Sequence, residues 1–196
     1  MYIYIGGIDM NIPQLVYKII LNMLRIEGIY ITDDPDDPGG LTCCGISKPN
    51  HPNWKGWELI AKGDRNLAEG SLLLNLVIDF YHDLWNKYGL SEVPMILAEE
   101  MFDQIVNPGP KAMVTNLQNI LNALNYKNEF GKDLVVDGRW GKNTRGRLMD
   151  VLKKGHVDLV AKSMNMEQAH YYLVRSNTNI TLRKYYKGWL KQRCFN

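Results

Sequence analysis

Apolar residues between positions 11 and 26 recur with helical spacing. Leu15, Ile19, Met23 and Ile26 form one row, and Val16, Ile20 and Leu24 lie beside it, so the pattern predicts a first helix with a wide buried face. Asn11 is placed to act as its N-cap, Pro13 fits the first turn, Gln14 sits where a capping box puts Gln, and Gly28 is the expected stop. Residues 1–8 are apolar and read as a packed strand or arm. Residues 33–40 (DDPDDPGG) hold turn formers only and must be irregular. The chain is also expected to be irregular over 51–63, around Trp54 and Trp57. Residues 69–88, with Leu73, Leu76, Val77, Phe80, Tyr81, Leu84 and Trp85, read as a second helix. Residues 92–106 and 111–124 read as the next two, parted by Pro108-Gly109-Pro110. Leu134-Val135-Val136 before Asp137-Gly138 predicts a short strand and a turn. Helices follow over 143–153, 157–174 and 180–192. Tyr171, Tyr172, Tyr185, Tyr186 and Trp189 read as core at helical spacing, and the nine methionines as core filling. The expected class is mainly α, with six or seven helices and a small strand and turn element.

Composition narrows the function. The chain has 196 residues, enough for one substantial domain or two small units. A net charge of +2 excludes a globally basic protein that binds nucleic acid by charge alone. Charge is uneven, however. Six acids face three bases in the first 50 residues, whereas after Glu167 there are six bases and no acid, a solvated face or a docking face for an anionic polymer. Three cysteines (43, 44 and 194) form neither a disulfide framework nor a zinc site. No nucleotide-binding glycine motif and no clustered histidines occur, so no cofactor and no metal are expected. The apolar start lacks the basic flank of an export signal, and no uninterrupted run approaches a membrane span. We therefore expect synthesis in a cytoplasm and no stable membrane insertion.

The stretch from Glu27 to Ser47 carries the chemistry. Glu27 falls at the C-terminal end of the first helix, where the helix dipole and burial both favour a protonated carboxyl group. Such an acid is what glycosidic cleavage needs to protonate the leaving oxygen. A second carboxylate must stabilise an oxocarbenium-like transition state or activate water, and Asp33, Asp34, Asp36 and Asp37 are available on a loop constrained by Pro35 and Pro38. Thr42 adds a hydroxyl able to hold a water. Asp-Pro-Gly clusters also form ordinary turns, so on composition alone the structural reading competes.

Spacing adds a resemblance. Glu27, Asp36 and Thr42 are separated by eight and five residues, which resembles the Glu, Asp and Thr triad of phage-type lysozymes in glycoside hydrolase family 24. The wording is more similar still to glycoside hydrolase family 108, whose N-acetylmuramidases have a helix ending in Glu-Gly-Gly-Tyr. There a loop reading Asp-Pro-x-Asp-Pro-Gly-Gly-x-Thr and a Gly-Ile-(Ser/Thr) follow. Here these are Glu27-Gly28-Ile29-Tyr30, then Asp34-Pro35-Asp36-Asp37-Pro38-Gly39-Gly40-Leu41-Thr42, then Gly45-Ile46-Ser47. Phe102-Asp103-Gln104-Ile105-Val106-Asn107-Pro108-Gly109-Pro110, Leu117-Gln118, Asp137-Gly138-Arg139-Trp140-Gly141-Lys142-Asn143-Thr144 and Gly188-Trp189-Leu190 resemble the peptidoglycan-associated domain that follows in that family. Ile29 replaces the family's second glycine, and Cys43-Cys44 stand where Asn-Tyr is common.

The resemblance implies a lysozyme-like fold with a catalytic region over 1–98 and a helical peptidoglycan-associated region over 99–196 packed against it. It implies cleavage of the β-1,4 bond between N-acetylmuramic acid and N-acetylglucosamine. Glu27 would be the general acid, Asp36 the second carboxylate with Asp37 as its rival, and Thr42 the positioner of water. Tyr30 either stacks on a sugar or caps the first helix. Asn107 either contacts substrate or forms a turn, with Gln104 preceding it on the same helix. Trp140 is either a sugar platform or a plug for its loop. The expected partner is the glycan strand of the bacterial wall, reached after release from a host cell, with the protein a monomer and no nucleic acid involved. The competing classes are a non-catalytic wall-binding or virion protein that kept the fold, and a delivered muramidase toxin.

Overall fold

A computed structural model describes residues 2–5, 8–33 and 40–194, with side chains from Ile12 onward. The chain forms two compact units, Met1–Lys87 and Tyr88–Asn196. The class is mainly α, as the periodicity predicts.

The first unit opens with an antiparallel hairpin of β1 (Tyr2–Ile5) and β2 (Ile8–Pro13), in which Ile3 pairs with Met10 and Tyr2 with Pro13. Asn11 is therefore a strand residue and not a helix cap. Helix α1 (Gln14–Glu27) starts directly after Pro13, whose extended backbone (φ −55°, ψ 135°) ends the strand and whose ring suits a helix entry. The buried face is also rotated from the expected one. Val16, Ile20 and Leu24 are buried with Tyr17 and Leu21, whereas Leu15 and Ile26 are about half exposed. Tyr17, a residue the apolar pattern left out, draws the face toward itself. Gly28 ends the helix at φ 102°, its N–H bonded to the Leu24 carbonyl at 2.8 Å.

Three two-residue strands follow: β3 (Ile31–Thr32), β4 (Thr42–Cys43) and β5 (Ile46–Ser47), in the order β3-β4-β5. Cys43 pairs with Ile46, leaving Cys44-Gly45 as a two-residue hairpin loop. Both loop residues have positive φ, 48° and 82°, as a right-twisted hairpin requires. Residues 51–63 are not wholly irregular, because a short helix α2 (Gly56–Ala61) forms there. It needs Gly56, since a Cβ at that position would lie 2.2 Å from the Trp54 ring. Helix α3 (Leu72–Lys87) starts three residues later than expected because Ser71 caps it, its hydroxyl accepting from the Leu74 N–H at 3.3 Å. Leu73, Val77, Ile78, Tyr81 and Trp85 are buried along α3, which packs on α1.

The second unit contains α4 (Met95–Val106), α5 (Pro110–Ala123), α6 (Lys142–Lys153), α7 (Val157–Thr178) and α8 (Arg183–Trp189). Its core combines Leu97, Met101, Phe102 and Ile105 of α4, Met113, Val114, Leu117 and Leu121 of α5, Leu148 and Val151 of α6, and Val160, Met164 and Tyr172 of α7, all buried. Each such side chain contributes about 1.5–3 kcal/mol by leaving water. The single last helix expected over 180–192 is three pieces, a 3-10 turn (Ile180–Leu182), α8 and a wider turn (Leu190–Cys194). Trp189 stacks on Tyr172 at 4.9 Å, but Tyr185 is about half exposed and so lies outside the core. Met166 is likewise exposed, at 71%, rather than core filling.

Leu134-Val135-Val136 form no strand. Their backbone is held by side chains instead. The Asn122 amide donates to the Leu134 carbonyl at 2.9 Å and accepts from its N–H at 2.8 Å, as a neighbouring strand would. One turn earlier on α5, Gln118 accepts from the N–H groups of Asp137 and Gly138 and donates to the Thr144 hydroxyl. Leu117-Gln118 and the Asp-Gly-x-x-Gly-x-x-Thr stretch are thus two halves of one knot. Gly138 is required there, because its φ is 69° and a Cβ would come within 3.1 Å of the Lys111 carbonyl.

Candidate active site

Glu27 is the last residue of α1 and half-buried. The motif around it has a local logic. The Tyr30 ring lies over Gly28 so closely that a Cβ on Gly28 would sit 2.0 Å from it. Only glycine allows that ring to fold back on the helix end. Tyr30 remains 56% exposed, so its outer face is open to solvent beside Glu27 in sequence.

The small sheet ties Thr42 to this helix end. Thr32 pairs with Thr42 and Ile31 with Cys43, so β3, which leaves α1 through residues 28–30, is the partner of the strand that carries Thr42. The Thr42 hydroxyl donates to the Gly40 carbonyl at 3.1 Å. Cys44 then acts as a hub. Its N–H donates to the Tyr30 carbonyl at 2.9 Å, and its carbonyl accepts from the Tyr81 hydroxyl at 2.7 Å. Tyr81 comes from α3 and is buried. Its hydroxyl is held well above the ordinary phenol range, first by burial and then by the negative charge of Glu27. Tyr81 therefore joins the helix end, the hairpin loop and the Glu27 field.

Sequence reasoning missed this tyrosine and placed it with the apolar residues of its helix. A signal was present, since a buried tyrosine hydroxyl must find a partner. Asp36 and Asp37 lie outside the described residues. Cys43 and Cys44 are both buried, and the Cys43 thiol is pushed up by its hydrogen bond to the Cys44 sulfur and by burial, an unsuitable environment for a nucleophile.

A cavity of about 500 Å³ opens along α1, lined by Gln14, Tyr17, Lys18, Leu21, Asn22, Arg25 and Glu69. These α1 residues share one helical face, and Glu27, two residues beyond Arg25, points away from it. The cavity is separate from the Glu27 side.

Gln104, Asn107 and Trp140 belong to the second unit. Gln104 is fully buried, and its amide donates to Glu100 at 2.9 Å and to the Met164 carbonyl at 2.7 Å, which makes it a packing residue of α4 and α7. Asn107 caps α4, its N–H bonded to the Asp103 carbonyl at 2.9 Å, and is half-buried. Trp140 is half-buried, its ring 6.0 Å from that of Tyr88. Asp103 receives hydrogen bonds from Arg193 and Gln168, so the stretch that carries Asn107 is anchored to α7 and the C-terminal turn. Among the described residues no group of three metal-ligating side chains occurs, and no helix is long and apolar enough to cross a membrane.

Comparison with known proteins places these features. Residues 20–109, which include Glu27, Thr42, Tyr81 and Asn107, match the model of the family described as Glycosyl hydrolase 108. Residues 112–194 match the Predicted Peptidoglycan domain. The fold is similar to that in a solved structure of Brucella abortus SagA, with a TM-score of 0.55 and 22% identity over 91% of this chain and 88% of that one. A search of curated protein sequences finds no match.

Proposed function

We propose that this chain, whose residues 20–109 match the model described as Glycosyl hydrolase 108 and whose residues 112–194 match the Predicted Peptidoglycan domain, cleaves the β-1,4 bond between N-acetylmuramic acid and N-acetylglucosamine. The two matches support a glycoside hydrolase of peptidoglycan. The observation that carries the finer reading is Glu27, half-buried at the C-terminal end of α1 and tied through the Tyr30–Cys44 bond to the strand that holds Thr42.

In this reading Glu27 protonates the glycosidic oxygen as the bond breaks. The second carboxylate is Asp36, on its spacing from Glu27 and Thr42, with Asp37 next to it. Thr42 positions water, and the exposed face of Tyr30 meets a sugar ring. A carboxyl separation of about 5–5.5 Å would give retention, and about 6.5–9.5 Å inversion. The second unit grips the polymer, and the protein works on the wall after leaving the cell that made it.

The test is mass spectrometry of muropeptides released from purified peptidoglycan by wild type and by Glu27→Gln. Glutamine keeps the shape and cannot donate the proton. New reducing N-acetylmuramic acid ends from wild type alone are expected. Equal release by both proteins removes Glu27 from the mechanism. Wall binding without release by either protein favours a non-catalytic wall protein.

A further inference from the structure

The cavity along α1 has a base and two sides. Gln14, Lys18, Leu21 and Arg25 recur at steps of four, three and four residues, which puts them on one face of the helix. Tyr17 and Leu21 are buried at the base, and Gln14, Lys18, Asn22 and Arg25 stand exposed along the helix side. On the other side Glu69, in the turn before α3, accepts from the Tyr17 hydroxyl at 3.4 Å. That turn is pinned by its own side chains. The Asp64 carboxylate accepts from the Asn66 N–H at 2.8 Å, the Asn66 amide oxygen accepts from the Ala68 N–H at 3.0 Å, and the Ser71 hydroxyl donates to the Asn66 carbonyl at 2.8 Å. A volume of about 500 Å³ lies in the range of small-ligand sites, about 300–1,000 Å³.

Charge is placed here against the local composition. The first 50 residues hold six acids and three bases, and two of those bases, Lys18 and Arg25, line this cavity. Among the described residues neither forms an ion pair, and Arg25 makes a long contact of 3.4 Å to the Asn22 amide oxygen. Two helical turns separate them, about 10 Å along the axis. Glu69 is the carboxylate of the lining, and the Tyr17 hydroxyl is its partner. Burial and then Glu69 hold that hydroxyl above the ordinary phenol range, while Arg25 acts in the opposite sense, so cation and carboxylate both face the base of the cavity.

We propose that this cavity is a saccharide site, separate from Glu27, that holds a carboxylate-bearing N-acetylhexosamine unit of the wall glycan. The lining suits that ligand group by group. The Gln14 and Asn22 amides offer donors and acceptors to hydroxyl and acetamido groups, Glu69 accepts from a hydroxyl, and Lys18 and Arg25 meet the carboxylate. A neutral sugar leaves both cations without a counter-charge, and a dense polyanion is repelled by Glu69. The carboxylate comes either from a lactyl group on the sugar or from the acidic residue of a peptide attached to it. The inference rests on the wall-hydrolase reading and adds a second hold on the strand, on the face of α1 turned away from the acid.

The experiment is an NMR titration of the ¹⁵N-labelled full chain with N-acetylglucosaminyl-N-acetylmuramic acid, which lacks the bond of the proposed cleavage. The same disaccharide carrying L-Ala-γ-D-Glu and neutral chitobiose are the other probes. Backbone amides of residues 14–25 and 66–71 are expected to shift with both acidic probes, and the tighter of the two names the source of the carboxylate. Chitobiose should bind there several-fold more weakly. Lys18 and Arg25 are exposed, so their substitution leaves the core intact. Lys18→Gln with Arg25→Gln should weaken the acidic probes up to about tenfold, to the level of chitobiose, and Arg25→Lys should keep most of the affinity. Shifts confined to other residues, equal binding of acidic and neutral probes, or equal binding by wild type and the double variant overturns the proposal. Glu27→Gln is titrated in parallel and should shift at the cavity as wild type does. Muropeptide release by wild type without cavity shifts would sink this site and leave the hydrolase reading standing, and cavity shifts without release would do the reverse.

Discussion

Tyr81→Phe probes the hub that joins α1, the β4–β5 loop and α3. Phenylalanine fills the same space and opens no cavity. What is lost is the hydroxyl that donates to the Cys44 carbonyl at 2.7 Å. Cys44 is 1% exposed, so its carbonyl would be left buried with its donor gone, at a cost of about 1–3 kcal/mol. Gly45→Ala strikes the same contact from the other side. It costs about 1–2 kcal/mol for placing alanine at φ 82°. It costs more because the new Cβ lies 2.8 Å from the Tyr81 hydroxyl oxygen, which must move off its acceptor. In the double variant the oxygen is absent and that second part vanishes. The double variant should therefore be more stable than the sum of the single effects predicts, by about 1–2 kcal/mol. Urea denaturation of the four proteins at one pH measures this. Wall turbidity assays on the same proteins should show Tyr81→Phe slowed on the order of tenfold, because Thr42 and the Glu27 end share this hub and small displacements are costly in catalysis. Additivity within about 0.5 kcal/mol would refute the shared contact. An unchanged rate would separate the hub from catalysis.

Gln118→Ala removes the amide that takes the Asp137 and Gly138 N–H groups and the Thr144 hydroxyl, and should cost about 2–4 kcal/mol in thermal or urea denaturation; a loss under about 0.5 kcal/mol would show that the knot is not structural. Glu100 is held above the ordinary carboxylate range mainly by desolvation, against hydrogen bonds from Gln104 and Asn165 that lower it. The folded state then binds this proton more tightly than the unfolded state, so its contribution favours folding below the ordinary carboxyl value and is lost as pH rises through the folded value. Glu100→Gln should therefore lose less stability than wild type as pH rises above the ordinary carboxyl value, and parallel pH curves would count against the assignment. Burial pushes the Cys194 thiol up to about 11, and Cys43 and Cys44 are buried, so alkylation at pH 8 should label all three cysteines only after denaturation.

Local physics made much of this protein legible. Helical periodicity marks α3 to α7, because an amphipathic stripe is a property of spacing alone. Gly28 reads as a helix stop because glycine tolerates the positive φ needed there. Glu27, Tyr30 and Thr42 lie close in sequence, and short connections bring such residues to one small sheet. The tertiary structure decided what depends on partners distant in the chain. Whether α1 turns Leu15 or Tyr17 inward depends on what packs against it. The Leu134–Val136 stretch has the composition of a strand, yet Asn122 takes both backbone groups of Leu134 and the Val135 carbonyl accepts from the Asp137 N–H, so no strand forms there. Gln104 lies beside Asn107 on α4, but Glu100 and the Met164 carbonyl draw its amide into the interior. Tyr81 belongs to the site only because folding carries its hydroxyl to Cys44, 37 positions earlier. A buried polar group must find a partner, and sequence announces that need; only the packed chain determines which group meets it.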